Sequence, residues 1–266
     1  MPEGDITYTV FTKAWTMPIA ELGEHVRSLG FTGIELPVRP GFQVEPEHVG
    51  RDLPKAAKEL AKSGVSICSI AGPSDEATIV ACAEAGVPVI RVMADIGEDG
   101  YMASHRRQQE EYDGLIPVLD RCGVRLGVQN HCGNYVVSAI GLRYLVEKYD
   151  PKHMGIVWDA AHEALCGNAP EHALDIVWSH LCMVNLKNAF WRRTNGPEAP
   201  WAEWTSYWTL GRHGLASWPR VIAELKRRCW EGPLCLTIEY SDRDAVNRLA
   251  AEDLAFTRSL FESDAG

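Results

Sequence analysis

Asp159 and Glu239 are the acids whose placement points to chemistry. Asp159 closes the apolar run Met154-Gly155-Ile156-Val157-Trp158, and Glu239 closes Leu234-Cys235-Leu236-Thr237-Ile238. Both runs read as buried parallel strands. An ionised group is costly in a core, so each carboxylate belongs at a strand mouth, where a metal or a ligand can compensate it. Two more strands end in polar residues. Val124 to Val128 runs into Gln129-Asn130-His131, and Leu181 to Leu186 carries Asn185 and leads into Lys187 and Asn188. Asp159 and Glu239 offer hard anionic oxygens, to which Gln129 and Asn185 add neutral ones. This donor set suits Mn²⁺, Mg²⁺ or a similar hard cation. Such a metal polarises a carbonyl, and the neighbouring C–H then becomes acidic enough for a carboxylate base such as Glu239. The plainer alternative is that both acids cap loops.

Other candidates surround these. His131 and His162, the latter three residues beyond Asp159, suit a ligand, a proton shuttle or a partner of a ligand. Lys187 suits stabilisation of an enolate oxygen or the role of an acid, and otherwise pairs with Asp159 or Glu239. Glu35, Arg39 and Arg91 lie at or near earlier strand ends and suit substrate contact or structural ion pairing. Trp191, Trp201, Trp204, Trp208 and Trp218 crowd one segment. Their faces suit the C–H face of a sugar or a flat ring, or they pack that segment down; Trp191 is the candidate for substrate contact.

These residues need elements to carry them. A weak repeat supplies these: an amphipathic helix ends at Gly and an apolar β-rich run follows. It appears at Gly30 before Gly33-Ile34-Glu35-Leu36, at Gly64 before Val65 to Ile70, at Gly86 before Val87 to Met93, and at Gly123 before Val124 to Val128. The Gly is a helix stop in the left-handed conformation. Later units keep the order without the Gly, with helices near 138–148, 170–180, 217–228 and 244–261. With an opening strand near Ile6 to Phe11 there are eight strands. Alternating strand and helix with short connections predicts a parallel sheet, and eight units predict a closed (β/α)8 barrel. An open doubly wound sheet usually announces a Gly-rich phosphate turn, and neither GxGxxG nor GxxxxGK[ST] is present. One domain over residues 1–266 is expected, with a Trp-rich loop at 189–214 over the C-terminal, catalytic face.

Length and composition agree. The chain has 266 residues and a formal net charge of −10. The acidic balance argues against nucleic acid or an anionic membrane as partner. None of the eight cysteines stands in a CxxC or CxxH pair, so they read as small hydrophobes in a reduced compartment. The start, Met1 to Asp5, has no apolar core of a signal peptide, and no stretch suits a membrane helix. A cytoplasmic soluble protein is expected.

The motifs together resemble the xylose-isomerase-like TIM barrels, which include sugar (phosphate) isomerases and epimerases and endonuclease IV type enzymes. They are Gly33-Ile34-Glu35-Leu36, Leu126-Gly127-Val128-Gln129-Asn130-His131, Gly155 to His162, Val184-Asn185-Leu186-Lys187-Asn188 and Leu236-Thr237-Ile238-Glu239-Tyr240. The resemblance implies a divalent metal, Mn or Mg first and Co or Zn next, held by Glu, Asp, His and Glu. Here Gln129, Asp159, Asn185 and Glu239 stand at those positions, so the metal is expected to bind weakly or not at all. The implied activity is isomerisation or epimerisation of a sugar, keto-sugar or polyol through an enolate, with a carbohydrate-like small molecule as partner. Two glutamates exchanging protons across the substrate are not available, because Gln129 is no base. One-base chemistry with Glu239 remains, with Lys187, His131 or His162 as acid. A lyase removing water or an aglycone from a keto-sugar or cyclitol fits the same residues. So does a barrel that has lost catalysis and serves as a binding subunit. Assembly into a homo-oligomer is left open.

Overall fold

The computed structural model describes residues 6–263; the acidic start, Met1 to Asp5, lies outside the described residues. The strands in chain order are β1 (Ile6–Phe11), β2 (Gly33–Pro37), β3 (Ser66–Ala71), β4 (Val89–Met93), β5 (Arg125–Gln129), β6 (Met154–Asp159), β7 (Leu181–Leu186), β8 (Asn188–Arg193), β9 (Trp204–Thr209) and β10 (Gly232–Leu236). All but β8 and β9 pair in parallel into a closed barrel, with β10 lying between β7 and β1. The helices are α1 (Ile19–Ser28), α2 (Val49–Lys62), α3 (Glu76–Ala85), α4 (Tyr101–Cys122), α5 (Ala139–Val146), α6 (Ala160–Leu165), α7 (Pro170–Val177), α8 (Trp218–Arg227) and α9 (Val246–Glu262). The expected barrel is therefore present. Gly86 and Gly123 stop their helices at φ of 70° and 65°. None of the described helices is long and apolar enough to cross a membrane.

Two apolar layers divide the strand residues by parity, because successive side chains face opposite sides of a strand. Ile156, Trp158, Val184 and Leu186 join the large cluster shared with the helices. Val157, Met183 and Cys235 join Phe11, Ala71 and Val89 in a separate cluster inside the barrel. Continuing two residues at a time towards the C-terminal end, the inner face reaches Asp159 after Val157, Asn185 and Lys187 after Met183, Thr237 and Glu239 after Cys235, and Arg91 after Val89. The hydrophobic alternation of the strands thus aims these polar groups at one mouth.

Two features differ from expectation. β10 ends at Leu236, so Glu239 sits three residues beyond the strand, after a kink in which Ile238 adopts φ of 44°. A β-branched residue in that region is strained, and such strain persists where the surroundings impose it. The segment expected as a loop at 189–214 is mostly an antiparallel hairpin of β8 and β9, with Ala189 opposite Trp208.

The hairpin is rooted by Asn188, which is 1% exposed. Its amide donates to the carbonyls of Gly211 and Ala216, both at 2.8 Å, and its oxygen accepts from the N–H groups of Ala189 and Ala216. Gly214 must lack a side chain, since a Cβ there would fall 2.0 Å from Asn188 Oδ1. Below it, Asp253 of α9 accepts from the Gly211 N–H and the Tyr240 hydroxyl, tying the hairpin root to the loop carrying Glu239. Removing the Asn188 amide strands several buried backbone groups. Asn188→Ala is expected to lower stability by about 2–3 kcal/mol, read by urea denaturation, and to increase hydrogen exchange across 188–216. An unchanged midpoint would show that the hairpin root is held by something else.

Candidate active site

The mouth opens into a cleft of about 520 Å³ whose wall includes Lys13, His131, Lys187, Trp208, Ile238 and Glu239. A recess of about 80 Å³ beneath it reaches Gln129, Asn185, Arg91 and Arg39. At the centre is an ion-pair cluster. Glu239 accepts from Lys187 Nζ on one carboxylate oxygen and from Lys13 Nζ on the other. Lys187 is 5% exposed. Its ammonium lies 3.9 Å from the centre of the Trp208 ring and 3.4 Å from His162 Nε2. Trp208 is fixed by exchanging hydrogen bonds with Ser241, its N–H to the hydroxyl and its carbonyl from the Ser241 N–H. Burial alone would raise the Glu239 carboxyl, but Lys187 and Lys13 outweigh it and hold the pKa at about 2. Glu239 is thus a permanent anion and a weak base.

Asp159 lies at the floor, fully buried. One oxygen caps α6 by accepting from the N–H groups of Ala161 and His162, and the other accepts from the Gln129 amide at 2.9 Å. Burial pushes its pKa up to about 6, against the pull of Lys187. Asn130 exchanges hydrogen bonds with the Asp159 backbone, and locks the two strand ends together. Gln129 in turn accepts from Arg91, whose Nε is 2.7 Å from Glu35 Oε1. The chain Glu35–Arg91–Gln129–Asp159 crosses the barrel floor without a break. Asn185 stands apart: it is fully buried, and neither amide atom has a partner among the described residues.

The histidine rings lie against each other at a tilt of 39°, with centres 4.1 Å apart. His131 Nδ1 lies 2.7 Å from the Cys132 carbonyl. A carbonyl only accepts, so Nδ1 carries the proton and Nε2 presents a lone pair in the cleft wall. The Cys132 N–H donates to His162 Nδ1 at 3.2 Å. Burial lowers the pKa of both rings, and Lys187 lowers that of His162 further, so both are neutral at pH 7.

The four residues aligned with metal positions do not form a cage for a hard dication. Both oxygens of Glu239 face ammonium groups, both of Asp159 are committed to N–H donors, and the Gln129 oxygen faces a guanidinium. Only Asn185 has a free donor atom. The two carboxylates are already matched by Lys187 and Lys13, so a dication would leave the floor strongly positive. His131, Cys132 and His162 place ligand atoms within 4.8 Å of one another. The neighbouring Lys187 ammonium opposes a cation there as well.

The structure brings together every residue singled out at the strand ends. Glu35 and Arg91 form the ion pair given as their structural alternative. Trp191 lies outside the cleft wall, 44% exposed, and its indole donates to the Leu165 carbonyl; Trp208 takes the place beside the reactive groups. Lys13 was missed, and Trp208 was named only within the cluster of tryptophans. Lys13 lies in a 3-10 turn, Thr12–Ala14, directly beyond β1, where strand alternation no longer applies and no local signal marks it. Trp208 depends on the hairpin register, for which the sequence has no marker.

A closed (β/α)8 barrel with its polar site at the strand C-termini is an enzyme architecture, and its kind can be stated further. The profile of the xylose isomerase-like TIM barrel family matches residues 24–260. The chain belongs to that family. Solved structures with the same fold include D-psicose 3-epimerase from Clostridium cellulolyticum H10, at 14% identity and TM-score 0.73 over 97% of this chain and 100% of that one. The 3-keto-D-glucoside 4-epimerase from E. coli aligns at 15% identity and TM-score 0.73 over 96% and 100%. An L-ribulose 3-epimerase aligns at 14% identity and TM-score 0.68 over 96% and 94%. No curated protein sequence matches the chain.

The misfit of the donors has a direct test. Manganese at 100 times a real dissociation constant would stabilise the fold by about 2.7 kcal/mol. Millimolar MnCl₂ is expected to leave the melting temperature unchanged, and elemental analysis of the purified protein to find no stoichiometric divalent metal. Stoichiometric manganese that Asp159→Asn removes would show that the floor opens to hold it.

Proposed function

We propose that this protein is a sugar isomerase or epimerase that enolises a keto-sugar, with Lys187 and His131 as its reacting groups. One observation carries the reading: an ammonium, a neutral imidazole with a free Nε2 and an unpartnered amide line one recess at the barrel mouth. Those are the parts that enolisation needs. His131 Nε2 removes a proton from the carbon beside the carbonyl. Negative charge then grows on the carbonyl oxygen, where the Lys187 ammonium stabilises it in a site with little water. The Asn185 amide, with nothing of its own to bond, takes a substrate hydroxyl or carbonyl. Delivery of the proton from His131 to the former carbonyl carbon, while the neighbouring hydroxyl's proton passes to the former carbonyl oxygen by way of Lys187, moves the carbonyl; inversion of the first carbon instead needs a proton delivered to its other face by a donor other than His131, such as solvent.

This assigns the base to His131 instead of Glu239. A carboxylate held near a pKa of 2 by two lysines is poorly suited to abstract a carbon acid's proton. Glu239 instead holds Lys187 in place and keeps it charged. Family membership and the neighbouring sugar epimerases support a sugar substrate. An elimination begins with the same enolate. It is favoured by one feature: Gln129 is no base, and both oxygens of Asp159 are committed to N–H donors, so no second carboxylate is free to face the substrate.

The test is wash-in of solvent deuterium into a panel of keto-sugars, followed by NMR. Exchange beside the carbonyl is expected in the native protein. Lys187→Met should slow it by about a hundredfold to a thousandfold, chiefly in kcat. His131→Gln should slow it by at least about a hundredfold. Release of water or an aglycone together with exchange would establish the elimination. Exchange that survives His131→Gln but is lost in Glu239→Gln would return the base to the carboxylate.

A further inference from the structure

A second cleft, of about 680 Å³, adjoins the reactive one and is walled by Val38, Arg39, Pro73, Arg91, Tyr112 and Tyr135 among others. Arg39 borders both this cleft and the inner recess. Its backbone is tightly held: the Arg39 N–H donates to the Val44 carbonyl, the Phe42 N–H donates to the Arg39 carbonyl, and the turn between them uses Gly41 at φ of 79°. Val38 beside it donates to the Ala71 carbonyl, while Gly72 packs so closely that a Cβ would come within 2.8 Å of Val38 Cβ. The loop thus aims Arg39 at a fixed place.

The Arg39 side chain forms no ion pair among the described residues. Lys13 and Lys187 share Glu239, and Arg91 has Glu35. Among the described residues nothing hydrogen-bonds the Arg39 guanidinium, which is half-buried with its carbon 5.8 Å from the centre of the Phe11 ring. Arg91 lies over the same ring at 4.8 Å. Two guanidinium groups against one ring repel each other, and burial together with Arg91 lowers the Arg39 pKa against the more distant pull of Glu35 and Glu239. Asp95 and Glu111 line the same second cleft, and Glu35 and Glu239 act on Arg39 from a distance, yet no carboxylate among the described residues forms an ion pair with it. A guanidinium fork presents paired N–H donors that match a carboxylate or a phosphate.

We infer that Arg39 is the receptor for an anionic group on the substrate, so that the substrate is an acidic sugar carrying a carboxylate or a phosphate away from its reacting carbonyl. This rests on the sugar-enolising reading of the same site. The substrate would span from Lys187 and His131 to Arg39, its anion lying at the entrance of the second cleft.

Three matched ligands test the inference by isothermal titration in a low-salt, phosphate-free buffer: D-sorbitol, D-gluconate and D-sorbitol 6-phosphate. None has a carbonyl to enolise, so the result is independent of the deuterium assay. One of the two acids is expected to bind at least about tenfold tighter than sorbitol, the scale of one charge-assisted contact. Which acid does so decides between carboxylate and phosphate. Arg39→Gln should bring that ligand to the affinity of sorbitol, and Arg39→Lys should keep part of the preference. Equal affinities for all three, absence of binding by either acid, or a preference that survives Arg39→Gln in a protein of unchanged melting temperature would each overturn the assignment. Arg39-dependent binding of an acid by a protein that exchanges deuterium into no keto-sugar would sink the enolisation instead and leave the anion site standing.

Discussion

The arrangement of the mouth depends on one buried ion pair, Lys187 with Glu239. An ammonium that is 5% exposed has lost most of its water, a penalty of several kcal/mol that only close and well-directed partners offset. Each neighbouring feature reads as one of those partners or as its support. Trp208 lies against the ammonium with its π face. Lys13 occupies the second oxygen of Glu239, which keeps that carboxylate from turning away. Ile238 tolerates a left-handed backbone, and that kink carries Glu239 across from the end of β10. Asp253 and Tyr240 then pin the far side of the same loop. Removing one partner would leave the other charge buried and alone, so these features are coupled and not a list of separate contacts.

The barrel supplies the aim. Inward positions fall every second residue, and the inner apolar layer of Val157, Met183 and Cys235 is continued at the C-terminal end by Asp159, Asn185, Lys187 and Thr237. The same periodicity that fills the barrel below therefore delivers polar groups above it. The floor shows how such groups are kept from costing too much. Glu35, Arg91, Gln129 and Asp159 pass charge and hydrogen bonds across the barrel until the start of α6 absorbs the last of them. Asn185, beside this chain, is excluded from it. An amide that is buried without partners is costly in the free protein and becomes favourable when a ligand arrives.

Much of this was legible in the sequence, for physical reasons. Glycine at helix ends and continuous apolar runs are local signals, so the strand order and the barrel followed from them. Strand-end polar residues were found because charge cannot sit deeper in a core. What was not legible is long-range. Whether Lys187 meets Asp159 or Glu239 depends on a kink at Ile238, and no local rule places a β-branched residue there. The choice of Trp208 over Trp191 depends on hairpin register, which alternates faces at every residue. The basicity of Glu239 could not be read at all, because it is set by two lysines, one at residue 13 and one at residue 187, that approach only in the closed barrel.

The engagement of Glu239 by Lys187 and Lys13 also bears on what the proposed reaction must ask of its substrate. A divalent ion holds two adjacent oxygens at once and so fixes both the position and the rotation of a sugar. An ammonium is a point charge with rotatable donors, and it stabilises one oxygen without orienting the rest. With Lys187 in that role, orientation has to come from groups further along the substrate. Among the described residues the mouth contains several groups without hydrogen-bond partners of their own, including the Asn185 amide and Thr237 hydroxyl in the recess and the Arg39 guanidinium at the entrance of the second cleft. A neutral sugar would meet Lys187 and Asn185 but could still rotate about that short axis. A sugar with a distant anion would be held at both ends, and a reacting C–H could be kept at His131 through proton removal and return. In the proposed reaction the unpaired Arg39 would thus supply, from the far end of the substrate, the orientation that the point charge of Lys187 cannot give.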